Sequence, residues 1–129
     1  MGSRPEQTGK LAKPKPSRGD IWWVDLMPVR GHEQGHDLGK SRPSLVISVD
    51  RFNHGASGLI ILVPITSKEK GIPFHVRITP PEGGLKHESF VMCEAVRSVS
   101  VDRLSKRSGR VSSPTLAGVE DRLKILLGL

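Results

Sequence analysis

There is no tyrosine in this chain, and its two tryptophans and three phenylalanines make up only 4% of 129 residues. So sparse an aromatic complement argues against a broad base-stacking sheet of the kind that RNA-recognition motifs display. Cysteine is nearly absent too. Cys93 stands alone, which excludes an internal disulfide and a zinc site built on cysteines, and it fits a reducing compartment. No apolar run approaches the ~20 residues of a membrane span, and the basic N-terminus lacks the apolar stretch of a secretory signal. A cytoplasmic protein without a membrane partner is expected. Acidic residues are the minority charge: 13 Asp and Glu face 20 Lys and Arg, a surplus of seven.

That surplus is uneven. Residues 1–17 carry Arg4, Lys10, Lys13 and Lys15 against Glu6 alone, with three prolines and hardly any apolar side chain, so they read as a disordered basic arm. Met1, Gly2 and Ser3 read equally as a remnant of a cloning vector. Residues 18–129 keep a smaller basic excess, which favours an acidic or nucleic-acid partner without identifying one. The length suits one domain.

What the chain does contain is a series of short strands and one closing helix. Ile21 to Leu26 is the first strand, stopped by Pro28, and Leu45 to Val49 is the second. Leu59 to Ile65 is apolar almost throughout, as a strand covered on both faces would be. Phe74, Val76 and Ile78 alternate inward, which leaves His75 facing solvent. Ser89 to Val99 forms a further strand, and Arg107 to Val111 a last short one. From Ser113 the period changes to that of a helix: Ser113 suits the cap, Pro114 the first helical position, and Leu116, Val119, Leu123 and Leu126 recur at helical spacing up to Gly128. Short antiparallel strands with one packing helix predict a mainly β, small barrel, because closure removes exposed edges.

Between the first two strands lies a polar, Gly-rich loop, Val29 to Lys40, that ends on Arg42 and Pro43. An exposed loop closing on an arginine at a strand start is a place to hold an anion. His32 and His36, with Glu33 and Asp37 nearby, hint at a metal, but the segment lacks helical spacing and a third firm ligand, so none is expected. His32 also stands open as a proton acceptor, since histidine alone titrates near neutrality. Trp22 and Trp23 point to opposite faces, one into the core and the other against the closing helix, a partner subunit or a base. Glu94 and Arg97 read either as a structural ion pair or as a groove lining.

These strings resemble a known family. Arg18-Gly19-Asp20-Ile21-Trp22-Trp23-Val24-Asp25-Leu26 is similar to the opening strand of the MazF/PemK toxin endoribonucleases. Gly31-His32-Glu33-Gln34-Gly35 followed by Arg42-Pro43-Ser44-Leu45-Val46-Ile47 resembles their signature loop and second strand, and Val63-Pro64-Ile65-Thr66 their third. The resemblance implies an SH3-like antiparallel barrel of the CcdB/PemK type with a C-terminal helix. It implies a homodimer that cuts single-stranded RNA sequence-selectively, without metal or cofactor, leaving a cyclic phosphate and a free 5′-hydroxyl. It also implies a cognate antitoxin whose acidic disordered segment occupies the RNA groove. By position, Arg42 and Thr66 match the catalytic pair, with His32, Glu33, Gln34, Gly35, Lys40, Pro43, Ser67 and Lys68 around them as substrate contacts. One departure is visible: six residues, His36 to Ser41, separate Gly35 from Arg42, where one to three are usual.

Internal cleavage of RNA needs an activated 2′-hydroxyl, stabilisation of charge on the phosphorane and a proton for the leaving oxygen. Arg42 suits the second task through two parallel hydrogen bonds, and a guanidinium that holds its proton so firmly makes a poor base, although the resemblance implies acid–base work for it. Thr66 offers a hydroxyl donor or, more plainly, a turn cap. The same barrel also occurs in CcdB toxins, which bind a topoisomerase and cut nothing, and an RNA-binding barrel without cleavage is the third reading.

Overall fold

The runs of β-branched and apolar residues become strands, and in the computed structural model, which describes residues 14–26 and 41–129, they join in one antiparallel sheet. The strands are β1 (Asp20–Asp25), β2 (Ser41–Val46), β3 (Leu59–Thr66), β4 (His75–Ile78), β5 (Ser89–Met92), β6 (Arg97–Ser100) and β7 (Leu104–Arg110). A short helix α1 (Asp50–Asn53) follows β2, and α2 (Ser113–Leu127) closes the chain. The hydrogen-bonded order is β4-β5-β3-β2-β1-β7, with β6 also pairing to β3.

Several boundaries differ from the sequence expectation, each for a local reason. The second strand starts at Ser41 and stops at Val46, because Ser48 bends away: its hydroxyl accepts from the Ile61 amide at 2.9 Å and its carbonyl from the Asn53 side chain at 2.8 Å. The run Ser89 to Val99 is two strands rather than one. A 3₁₀ turn, Cys93–Ala95, breaks it so that β5 pairs with the end of β3 (Ile65↔Val91) while β6 pairs with its beginning (Leu59↔Ser100 to Leu62↔Arg97). Cys93 is fully buried in that turn. Burial, aided by the Glu94 charge, pushes its thiol up to about 11. The last strand is longer than expected, Leu104–Arg110 in place of Arg107 to Val111.

Both faces of β3 are covered, which accounts for its continuous apolar sequence. One face carries Ile21, Leu45, Val63, Ile65 and Val91, covered by Val119 of α2; the other carries Val24, Val46, Ile60, Leu62, Val99 and Leu104, with Trp22 packed against them. The Trp22 indole donates to Asp20 at 3.3 Å, and Trp23 is half-buried on the opposite face. Asp20 is itself buried and receives Arg107 and Arg110 at 3.3 and 3.0 Å, tying β1 to β7.

Closure is not made by hydrogen bonds: among the described residues the sheet path stays open between β4 and β7. A 3₁₀ turn, Glu82–Gly84, packs onto β7 instead. Gly83 and Gly84 adopt φ of 69° and 74°, and Ser108 Oγ donates to the Gly83 carbonyl at 2.8 Å. The backbones approach so closely that a Cβ on Gly109 would lie 2.5 Å from the Gly83 carbonyl carbon.

Helix α2 is capped one residue earlier than expected, by Ser112, whose hydroxyl accepts from the Thr115 amide at 3.3 Å; Gly128 ends it in the left-handed conformation. Val119 and Leu123 are buried as the spacing predicts, but Leu126 is substantially exposed because the helix outruns the sheet beneath it. Contacts at the other end of the chain reach back to buried Pro16, whose carbonyl accepts from His54 at 2.7 Å, while Arg18 joins Glu120 of α2 and its amide donates to Asp50 at 2.8 Å.

Candidate active site

Two prolines position the site. Neither Pro43 nor Pro64 has a backbone N–H to donate, and the β2–β3 pairing runs from Val46↔Leu62 outward to Ser44↔Pro64. Continuing that register by two positions sets Arg42 opposite Thr66, just beyond the last paired rung, on the sheet face that carries Val24 and Leu62. Arg42 is half-buried and paired on its other side with Val24 of β1.

Thr66 ends β3 and is only 6% exposed. Its Oγ1 accepts from the Lys68 amide at 3.1 Å, a turn-capping bond that uses the hydroxyl as an acceptor and leaves its proton for another group. The capping and donor readings are therefore compatible. Ser67 and Lys68 follow at the exposed start of the β3–β4 connection, and Pro43 sits beside Arg42 opposite Trp23. His32, Glu33, Gln34, Gly35 and Lys40 lie outside the described residues, as do His36 and Asp37.

The row continues past Thr66 with residues that the sequence reading did not select. Phe90 of β5 is directly opposite Thr66, and Arg77 of β4 is directly opposite Phe90. Arg77 stacks over the Phe90 ring at 5.4 Å and meets Glu69 and Glu88 at 3.4 Å each. Alternation on β4 marks Arg77 as outward-facing, but only the strand pairing reveals what it faces.

Two expectations are corrected nearby. His75 does not face solvent: its side chain is 4% exposed, with Nε2 bonded to Glu94 at 2.8 Å. The Cys93–Ala95 turn folds Glu94 back over the start of β4, so Glu94 takes His75 as its partner rather than Arg97.

A family model for PemK-like, MazF-like toxins of type II toxin-antitoxin systems matches residues 17–127. The chain belongs to this family. Among curated relatives of this MazF-like toxin, the endoribonuclease MazF9 of Mycobacterium tuberculosis is 39% identical over 117 residues, spanning 87% of this chain and 96% of the relative. The endoribonuclease toxin MazF of Escherichia coli is 30% identical over 115 residues, spanning 88% and 95%. The solved structure of MazF from Deinococcus radiodurans superimposes with a TM-score of 0.73 at 32% identity, covering 90% of this chain and 99% of that one. A MazE-MazF complex from the same organism superimposes at 0.72, also at 32% identity, covering 90% and 98%. The family match, residues 17–127, spans every described strand and α2. Among the described residues no helix is long and apolar enough to cross a membrane.

Proposed function

We propose that this MazF-like toxin is an endoribonuclease that cuts single-stranded RNA by attack of a 2′-hydroxyl on the adjacent phosphorus, with Arg42 and Thr66 as its catalytic residues. What supports the reading is the β2–β3 register, which, continued by two positions past Ser44↔Pro64, brings Arg42 opposite Thr66 at the open end of the ladder. The 2′-hydroxyl gives its proton to water as its oxygen bonds to phosphorus, and the bond from phosphorus to the 5′-oxygen breaks with that oxygen taking a proton from water, giving a cyclic phosphate and a free 5′-hydroxyl. Arg42 holds two phosphoryl oxygens as negative charge builds on them, and the Thr66 hydroxyl donates to one. Cleavage on this scheme needs no metal, because the developing charge is met by a fixed guanidinium. The toxin domain is assigned to residues 18–129 and acts in the cytoplasm, where its RNA is. A homodimer is supported by the exposed apolar end of α2, with Ile125 and Leu127 62% and 58% exposed. A cognate antitoxin silences the toxin by laying an acidic segment along the basic RNA face.

The test is cleavage of a long, unstructured RNA in excess EDTA with the cut ends mapped. Arg42→Lys is expected to lose roughly 10²- to 10³-fold in rate with the fold intact, since a point charge cannot reproduce a two-pronged clamp. Thr66→Ala should lose activity and Thr66→Ser keep much of it. Near-normal turnover in Arg42→Lys removes that residue from the mechanism. Binding of RNA without any cut would favour a non-catalytic barrel, and no RNA binding at all a topoisomerase-directed toxin.

A further inference from the structure

We propose that Arg77 is a stacking platform for the nucleobase beside the scissile phosphate, and so a specificity-determining residue that prefers a base bearing an exocyclic amino group. The inference rests on the reading of Arg42 and Thr66 as the catalytic pair. Arg77, Phe90 and Thr66 are consecutive members of one cross-strand row, so the Arg77 backbone stands two strand spacings, about 10 Å, from Thr66. That is within reach of a nucleotide next to the one being cut.

The surroundings of Arg77 decide what it can bind. Beneath it, the buried Phe90 ring supports the guanidinium at 5.4 Å, yet 55% of the Arg77 side chain remains exposed. Two carboxylates already engage its edges, Glu69 from the connection after Thr66 and Glu88 from the segment before β5. A phosphate arriving there would meet two negative charges, so a backbone contact is disfavoured. A nucleobase is neutral and planar, and guanidinium planes are established stacking partners for unpaired bases. The flanking carboxylates accept hydrogen bonds but donate none, so they reward the amino donors of guanine, adenine and cytosine over uracil, whose single edge donor, N3–H, lies between two carbonyl oxygens that a carboxylate repels. Arg77 on Phe90 thus supplies, at one position, a stacking surface in a chain poor in aromatic residues.

The experiment maps cut sites of the wild-type toxin, Arg77→Ala and Arg77→Lys on a random-sequence RNA pool, and measures salt dependence of binding to a 2′-O-methyl RNA that cannot be cut. The wild type should prefer an amino-bearing base at one fixed position flanking the cut. Both variants should lose that preference, cut the best wild-type sites about tenfold more slowly, and keep the rest of the cut-site pattern. The salt slope should not change, whereas loss of a phosphate contact would reduce it by about one. Retention of the preference in Arg77→Lys, a reduced salt slope, unchanged maps in both variants, or a wild type with no flanking preference each overturns the proposal. Normal turnover in Arg42→Lys together with an altered Arg77→Ala map would instead sink the catalytic assignment and leave the stacking site standing.

Discussion

At the scale of single residues, Glu82 shows how one carboxylate fastens two elements. Burial pushes its carboxyl up, but hydrogen bonds from the Ser112 amide, at 2.8 Å, and from the Thr115 and Ser112 hydroxyls outweigh that, and the net pKa lies below the ordinary 4.5. A group whose pKa is lower in the folded state stabilises the fold fully above its unfolded value and loses that contribution as pH falls through its folded value. Unfolding measured by circular dichroism from pH 7 down to pH 3 should therefore show a loss below about pH 4.5 that is smaller in Glu82→Gln, while Glu82→Gln should be the less stable protein at pH 7. A variant that tracks the wild type in parallel throughout would show that Glu82 contributes nothing of the kind. Legibility at this scale was uneven. Arg42 could be picked out because an arginine before a proline and an apolar run marks a strand start beside a loop. Arg77 and Phe90 could not, because alternation assigns a residue to a face without naming the strand that lies beside it.

At the scale of elements, the apolar and alternating runs were legible as strands, and the change of period announced α2. What the sequence could not reveal was the corner at Cys93–Ala95. Cys93, Glu94 and Ala95 include no glycine or proline to mark a turn, and the break exists because β3 offers different partners at its two ends. Nor could it reveal that a glycine-containing turn, rather than a ladder, covers β7. That contact predicts opposite outcomes for two similar substitutions. Gly109→Ala forces a methyl against the Gly83 backbone and should destabilise by about 1 to 3 kcal/mol or more. Gly118→Ala, in α2 with its nearest contact at 3.8 Å, should stabilise by up to about 1 kcal/mol through helix propensity. Urea titration of both variants checks the pair, and equal effects would mean the turn does not press on β7.

At the scale of the whole molecule, the end of α2 presents an apolar surface on which Ile125, Leu126, Leu127 and Leu129 emerge together. If a second subunit covers it, replacing Ile125 and Leu127 with glutamate should convert a dimer to a folded monomer, read by sedimentation alongside an unchanged circular dichroism spectrum. An unchanged mass would place the subunit interface elsewhere. The sheet order has a further consequence in time. β1, the first strand of the chain, is hydrogen-bonded to β2 on one side and to β7, the last, on the other, and Asp20 is clasped by Arg107 and Arg110. Contacts so distant in sequence form late and only when both ends exist. Until β7 is in place, β1 has no second neighbour and the strand that flanks Arg42 is left at a sheet edge. Docking of β7 onto β1 is therefore the step that completes the sheet beside Arg42, and the last in sequence to become possible.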